Sequence, residues 1–174
     1  PSLLQTFGPR CADVILIPEV PYELERVVKA VEKRAQQGKQ FSIIVVAEGA
    51  KPLGGEMVVE RVLPGRTDPI KLGGIGSKLA KDLEEATKME TRVTVLGHLQ
   101  RGGSPIAVDR VLSTRYGVAA VEAALDEDFG KMVALQGQNI VRVPLADAVH
   151  KLKQVSLDDP ILQAARSLGI EIGG

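Results

Sequence analysis

Hydrophobic positions in the first 50 residues predict a strand, a helix and a second strand. Residues 13–17, DVILI, form an apolar run rich in β-branched side chains, typical of a strand buried on both faces of a parallel sheet. Between residues 22 and 37 apolar side chains return at helical spacing, and Gly38 is expected to end that helix. Residues 41–49, FSIIVVAEG, repeat the strand pattern. This order, β-α-β, is the unit from which α/β folds are built.

The middle of the chain predicts further elements of both kinds. Residues 50–71 look irregular, apart from the short β-like sequence MVVERVL. A helix is expected from about residue 75 to residue 88, because its leucines recur on one side. Residues 91–98, TRVTVLGH, alternate in the manner of a third strand, and a long helix with many valines is expected to begin at Pro105.

The last part of the chain predicts a hairpin and two short helices. Residues 131–145, KMVALQGQNIVRVPL, are typical of an antiparallel hairpin that turns at Gly137. Short helices are expected at about residues 146–153 and 160–168. The predicted fold class is therefore α/β: a mainly parallel sheet flanked by helices, with a C-terminal β-hairpin and short helices.

Composition and charge exclude several classes of protein. The chain of 174 residues carries 22 basic and 22 acidic side chains, whereas a general nucleic-acid binder is expected to be basic. It has no apolar run long enough to span a membrane, and its first ten residues lack the pattern of a secretory signal. A single cysteine, Cys11, fits a reducing cytoplasm. No CxxC or HExxH motif indicates a transition-metal site.

One short segment, LGHLQRGGSPIAVDR, carries most of the candidate chemistry. His98 and Arg101 are expected at the carboxyl end of the third strand, where ligands bind in open α/β sheets. Gly102 and Gly103 leave backbone N–H groups unobstructed, and residues 104–105, Ser-Pro, predict an N-cap and the first residue of a helix. Because helix N-termini attract anions and arginine binds phosphate through two hydrogen bonds, the segment is a candidate phosphate site. The plainer interpretation, a turn followed by a helix cap, stays open.

Two further charged residues are candidates. Glu48 ends the second strand, where it is either an ordinary solvated acid or an acceptor for the hydroxyls of a sugar. If strands two and three are neighbours, Glu48 together with His98 and Arg101 fits a sugar phosphate. The two-residue period of a strand places Arg92 on the same face as His98, but about 20 Å away at about 3.3 Å per residue. Those two residues therefore need not serve the same ligand molecule.

Motifs for phosphoryl transfer are missing from the sequence. It contains neither a GxxxxGK[ST] loop nor a GxGxxG loop, and no pair of clustered aspartates suited to Mg²⁺ and a general base. Asp109 is expected to support the first turn of its helix or to pair with Arg110. The residues alone thus predict a chain that binds a phosphorylated sugar without complete phosphoryl-transfer machinery.

A family resemblance adds to this interpretation. RVTVLGHLQRGGSPIAVDR, residues 92–110, closely resembles the signature of the phosphofructokinases. The resemblance extends from about Ala12 to Gly174, includes ADVILIPE and VVAEGAKPLGGEMVV, and covers roughly the carboxyl-terminal half of such an enzyme. The chain looks most like the bacterial subgroup whose members use either ATP or pyrophosphate. The resemblance implies a phosphofructokinase-like fold.

The resemblance also implies an activity and a setting for it. The parent enzyme would transfer a phosphoryl group from ATP or pyrophosphate to the 1-hydroxyl of fructose 6-phosphate, giving fructose 1,6-bisphosphate in glycolysis. The complete enzyme would use Mg²⁺, with ligands outside this chain, and would be a cytoplasmic, allosteric homo-oligomer, either a dimer or a tetramer. Apolar surface that faces the missing half is expected to be exposed and to favour oligomerisation.

Site residues are carried over by position. Glu48 would bind the sugar hydroxyls, and His98 and Arg101 would bind the 6-phosphate. Arg92 would reach across a subunit interface to the 6-phosphate of a neighbouring active site, which agrees with its distance from Arg101 along the predicted strand.

Regulation is left open by the resemblance. Asp13 and Lys39 match positions that line the effector site of regulated members. Other basic residues of that pattern are missing, and Gln37 is one such departure.

The amino terminus departs most from the family. Residues 1–11 are interpreted as an atypical segment, either disordered or truncated, and residues 12–174 as the sugar-phosphate-binding half. The glycine-rich nucleotide loop and the Asp-rich catalytic segment of the family are missing, so we expect no kinase activity from this chain alone. Three hypotheses remain: half of a 6-phosphofructokinase, a stand-alone sugar-phosphate or effector-binding module without catalysis, or a remnant that folds or associates and binds nothing.

Overall fold

A computed structural model describes residues 12–56, 59–62, 70–72, 74–150 and 154–174, with the strands at 59–62 and 70–72 and Arg101 described by their backbone alone. Its contacts divide the chain into two compact units. Unit 1 comprises the described residues up to Val95 and those from Gln154 onward, and unit 2 those between Leu96 and His150. Within these ranges no helix is both long and apolar enough to cross a membrane.

The elements alternate along the chain much as the hydrophobic pattern predicts. The helices are α1 (Leu24–Gln36), α2 (Ile75–Thr87), a 3₁₀ helix (Gly97–Arg101), α3 (Ala107–Leu125), α4 (Leu145–His150) and α5 (Pro160–Ser167). The strands are β1 (Val14–Leu16), β2 (Ile44–Val46), β3 (Val59–Val62), β4 (Ile70–Leu72), β5 (Lys131–Gln136) and β6 (Asn139–Pro144). In the part of the chain that is described, β1 and β2 pair in parallel, whereas β3–β4 and β5–β6 are antiparallel pairs.

Strand β1 lies at the centre of unit 1. Its three residues are buried, and it pairs with β2 in the register Val14 opposite Ile44. A second neighbour is the chain at Glu171, whose carbonyl accepts a hydrogen bond of 2.8 Å from the Ile15 N–H. These contacts confirm the predicted β-α-β unit and the buried strand within residues 13–17.

Side chains on the two faces of β1 enter two separate hydrophobic clusters. Val14 and Leu16 pack in a cluster with Val27 of α1 and with the buried leucines of α2. Ile15 packs in the other cluster with Leu162 of α5. Successive side chains of a strand point to opposite faces, so one short apolar strand supports helices on both sides.

Unit 2 consists of the 3₁₀ helix, α3, the β5–β6 hairpin and α4. Helix α3 contacts both strands of the hairpin, and the hairpin turns at Gly137, as predicted. Asp128 lies between Lys131 and Arg142, at 2.6 Å and 3.3 Å. The hydrogen bond from Lys131, followed by that from Arg142, holds the pKa of the Asp128 carboxyl below its usual value.

The prediction of a strand at residues 91–98 is wrong. Residues 91–96 have no regular secondary structure, and Val95 is 84% exposed. A strand requires ladder hydrogen bonds to a neighbour, and in the described structure β2 pairs with β1 alone. Val93 nevertheless lies close to α2: a Cβ atom added at Gly76 would lie 3.3 Å from Val93 Cγ1 and 3.9 Å from Val46 Cγ1.

Other boundaries differ by one to three residues, as for the strand predicted at 41–49 and found at Ile44–Val46, or lie outside the described ranges. The long helix begins at Ala107 rather than at Pro105, and the short helix predicted from residue 146 begins at Leu145. The short β-like sequence within 50–71 is confirmed as β3. The predictions for residues 1–11, and for the end of the short helix at 151–153, fall outside the described residues.

Candidate functional site

His98 and Arg101 belong to one turn of 3₁₀ helix. The Leu99 N–H donates to the Leu96 carbonyl at 3.0 Å, and the Gly102 N–H donates to the Leu99 carbonyl at 3.1 Å. A 3₁₀ helix has three residues per turn, so positions 98 and 101 lie on the same side of it. The sequence predicts a strand that ends at His98, with Arg101 just beyond it, and does not predict this turn. His98 is exposed, and the turn therefore presents both positions in one direction.

The glycine pair that follows the turn has one member with a special conformation. Gly103 has a φ of +99°, in the region that favours glycine, and a Cβ atom there would meet nothing within 4 Å. Gly102 has an ordinary φ of −83°, and a Cβ atom at that position would lie 3.3 Å from the Leu99 carbonyl oxygen. Residues 102–106 are exposed, so the loop offers its surface to solvent.

Helix α3 is not capped by Ser104, contrary to the prediction. Its N-cap is Ile106, whose backbone N–H donates to Asp109 Oδ2 at 2.9 Å. A carboxylate in the first turn satisfies a donor and interacts favourably with the helix dipole, which explains why the helix begins at Ala107. The contact confirms that Asp109 supports the first turn. An anion at this helix end would meet that carboxylate, so attraction for a phosphate must come mainly from the side of the 3₁₀ turn.

Glu48 and Arg92 both belong to unit 1. Glu48 follows β2 in a turn closed by a 2.9 Å hydrogen bond from the Ala50 N–H to the Ala47 carbonyl, and it is exposed. Its position at the carboxyl end of a strand is as predicted. Arg92 Nε lies 2.9 Å from Glu90 Oε1, and the arginine side chain is 86% exposed. The structure thus brings His98 and Arg101 together in unit 2, while the other two candidates stand in unit 1.

Asp13 and Lys39 both contact Arg34, Asp13 at the guanidinium and Lys39 at the backbone carbonyl. Asp13 Oδ1 lies 2.8 Å from Arg34 Nη1, and Asp13 Oδ2 accepts a 2.8 Å hydrogen bond from the Ile43 N–H. The Lys39 N–H donates to the Arg34 carbonyl at 3.1 Å, and the Lys39 side chain is exposed. An effector that binds Asp13 must therefore compete with Arg34. Sequence reasoning missed Arg34, although a cation one turn before the end of α1 was a visible signal.

Metal ligands are not clustered in the described residues. No group of three or more His, Cys, Asp or Glu side chains there is placed to hold a metal ion.

Comparison with known proteins places the chain in a family. The family model for phosphofructokinase matches residues 6–124, more than half of the sequence. The chain belongs to the phosphofructokinase family. The match includes the signature segment with the 3₁₀ turn and the start of α3.

Relatives within this family differ in their phosphoryl donor. The chain is 56% identical over 162 residues to the ATP-dependent 6-phosphofructokinase of Chloroflexus aurantiacus, an alignment that covers 93% of this chain and 44% of the relative. It is 52% identical over 145 residues to the pyrophosphate–fructose 6-phosphate 1-phosphotransferase of Amycolatopsis methanolica, covering 83% and 42%. The chain thus spans less than half the length of these curated relatives.

Solved structures confirm the predicted fold class. The pyrophosphate-dependent phosphofructokinase of Marinobacter aquaeolei superposes with a TM-score of 0.62 at 22% identity, over 94% of this chain and 38% of that one. At this identity the likeness establishes the fold alone. The phosphofructokinase-like α/β fold expected from the signature segment is therefore present.

Proposed function

We propose that this chain is the sugar-phosphate-binding part of a 6-phosphofructokinase. In the complete enzyme, phosphoryl would pass from ATP or pyrophosphate to the 1-hydroxyl of fructose 6-phosphate. Family membership supports this reaction class, and the two relatives carry names for both donors. The observation that carries the proposal is the single 3₁₀ turn that presents positions 98 and 101 on one side, next to an exposed glycine loop.

Each candidate residue has a distinct role in this proposal. The imidazole of His98 and the guanidinium of Arg101 bind the 6-phosphate, because charged donors make the strong hydrogen bonds to phosphate. Glu48 accepts hydrogen bonds from sugar hydroxyls. Arg92, exposed and paired with Glu90 at the surface, serves the 6-phosphate site of a neighbouring subunit. These residues bind and orient the sugar; we assign no bond-breaking role to any of them.

The remaining machinery is assigned to polypeptide outside this chain. In the complete enzyme the phosphoryl donor would supply the transferred group, and Mg²⁺ would neutralise its charge. We place the residues that bind the donor and Mg²⁺ beyond these 174 residues. This chain alone is then inactive as a kinase. Detecting fructose 1,6-bisphosphate formed by the purified chain would overturn that part. A cytoplasmic homo-oligomer, and an effector site that includes Asp13 and Lys39, belong to the same proposal.

Calorimetry with fructose 6-phosphate tests the binding role. Arg101→Ala should weaken binding by about 1.5–3 kcal/mol, since it removes a charge-assisted phosphate contact; this corresponds to roughly ten- to 150-fold in Kd. Arg110→Ala is the matched control, because Arg110 is an exposed arginine of the same segment outside the proposed site. Equal affinity of the two variants would remove Arg101 from the site.

The same titration separates the competing hypotheses. Binding of fructose 6-phosphate, but not of fructose, supports a sugar-phosphate site. A second protein joins the chain to the part of a relative that it lacks. If this fusion binds fructose 6-phosphate but has no kinase activity, the result would favour the stand-alone module. No binding of any sugar phosphate would favour the remnant.

A further inference from the structure

Glu84 connects the last turn of α2 to the segment that carries Arg92. Its carboxylate oxygen Oε1 accepts a 2.7 Å hydrogen bond from the Thr91 N–H. Its backbone carbonyl accepts a second hydrogen bond, of 3.0 Å, from the N–H of Lys88, a residue with a φ of +60° at the helix end. The two bonds of Glu84 therefore close a turn between the helix and Thr91, the residue immediately before Arg92.

Helix α2, which supports this turn, is anchored in the core of unit 1. Leu79 and Leu83 are 3% and 4% exposed. Thr87 Oγ1 donates to the Leu83 carbonyl at 2.7 Å and accepts a 3.2 Å hydrogen bond from the Met89 N–H. A carboxylate in the last turn of a helix is disfavoured by the helix dipole, so the helix by itself does not require an acid at position 84.

The Arg92 side chain has little support of its own. It is 86% exposed, and its ion pair with Glu90 lies at the surface, where such pairs contribute little. Residues 91–96 have no regular secondary structure, so among the described residues no strand ladder fixes the backbone there. The direction of the arginine therefore depends on where the backbone is held, and Glu84 holds it one residue earlier.

We propose that Glu84 is a positioning residue for Arg92. The inference rests on the proposed function, in which Arg92 binds the 6-phosphate of a neighbouring active site. An arginine loses conformational freedom when it binds a phosphate, and a restraint already present on its backbone removes part of that cost. Glu84 touches no ligand in this role, because it acts only through the backbone N–H of Thr91.

Calorimetry with fructose 6-phosphate on the 174-residue chain tests the proposal. Glu84→Ala should weaken binding by about five- to thirtyfold, the loss expected when the backbone of one residue is freed. Glu84→Gln keeps an oxygen acceptor on a side chain of the same length and should restore most of the affinity. Glu85→Ala is the matched control, because Glu85 is an exposed acid of the same helix turn that lies 3.8 Å from Lys81 Nζ; it should bind as well as the unchanged chain.

A double-mutant cycle separates positioning from a general effect on folding. In an Arg92→Ala background, Glu84→Ala should cause no further loss of affinity, because the residue that it positions is gone. An equal loss with and without Arg92 would overturn the proposal. The Thr91 amide should exchange with solvent at least about tenfold faster in Glu84→Ala than in Glu84→Gln. Equal exchange would show that the hydrogen bond does not hold the segment, and this result also overturns the proposal.

The pattern of losses distinguishes a failure of this inference from a failure of the proposed function. If Arg92→Ala weakens binding and Glu84→Ala does not, the inference is wrong and the proposed function stands. If Arg92→Ala has no effect, the role of Arg92 and the inference are wrong together. If Arg101→Ala alone has no effect, the proposed phosphate site is wrong, whereas the coupling of Glu84 to Arg92 stands.

Discussion

Gly173 allows the carboxyl-terminal segment to pack against the core of unit 1. A Cβ atom at this position would lie 2.7 Å from Tyr22 Cβ and 2.9 Å from Leu16 Cδ2, whereas carbon atoms pack at about 3.5–4.0 Å. Neither neighbour can withdraw easily, because Tyr22 is 1% and Leu16 0% exposed. The backbone φ of +93° adds a second penalty for any residue with a Cβ atom. We expect Gly173→Ala to lower the free energy of unfolding by about 2–5 kcal/mol, of which about 1–2 is conformational and about 1–3 is overpacking.

A second glycine isolates the steric part of this cost. Gly169 has a φ of +79°, but a Cβ atom there would meet nothing within 4 Å, so Gly169→Ala should cost only about 1–2 kcal/mol. Urea unfolding followed by tyrosine fluorescence in a Tyr116→Phe background is the assay. The chain has two tyrosines and no tryptophan, so Tyr22 then reports on the core of unit 1 alone. Equal unfolding midpoints for the two alanine variants would refute the steric argument.

Two titrations test the electrostatics of the fold. Lys131→Met should raise the pKa of Asp128 toward its usual value, because the Lys131 hydrogen bond is the largest cause of its lowering. The ion pair of Lys131 with Asp128 stabilises the fold above about pH 3.9, and this stabilisation is lost as the pH falls further. An unchanged carboxyl titration by NMR would contradict it. Burial, and to a smaller extent the charge of Asp82, raise the pKa of Tyr22, so its contribution is present below about pH 10 and is lost as the pH rises further. Tyr22→Phe should remove that alkaline loss and should cost no stability at pH 7, since the hydroxyl has no hydrogen-bond partner among the described residues; an alkaline unfolding series compares the two proteins.

Unit 1 was predictable because burial and local preference agree there. The apolar run at β1 is buried on both faces, and the helical spacing before Gly38 places Val27 in the core, so each pattern reports one direct consequence of packing. The end of α1 at a glycine with a φ of +76° is likewise a local effect. Such features need no knowledge of distant contacts.

Residues 91–98 show where local preference fails. Their alternating β-branched side chains favour extended backbone, but a strand also needs a neighbour that supplies ladder hydrogen bonds, and no pattern in the sequence specifies that neighbour. The prediction of where α3 starts is wrong for a related reason. Ser-Pro is a strong local start signal, yet the carboxylate of Asp109 caps the backbone at Ile106, and this choice depends on the conformation of the preceding glycine loop.

For the candidate phosphate segment, composition determines which side chains are present and backbone conformation determines how they are arranged. The presence of a histidine, an arginine and two glycines in one short stretch is visible in the sequence, and it predicts an anion site. Their arrangement depends on Gly97, which has a φ of +49° and is the first residue of the 3₁₀ turn. An odd spacing of three positions separates side chains in a strand but aligns them in this turn. The turn places positions 98 and 101 on one side, whereas the carboxylate of Asp109 stands at the start of α3. The affinity for fructose 6-phosphate should therefore depend on Arg101 far more than on the backbone N–H groups at the start of α3.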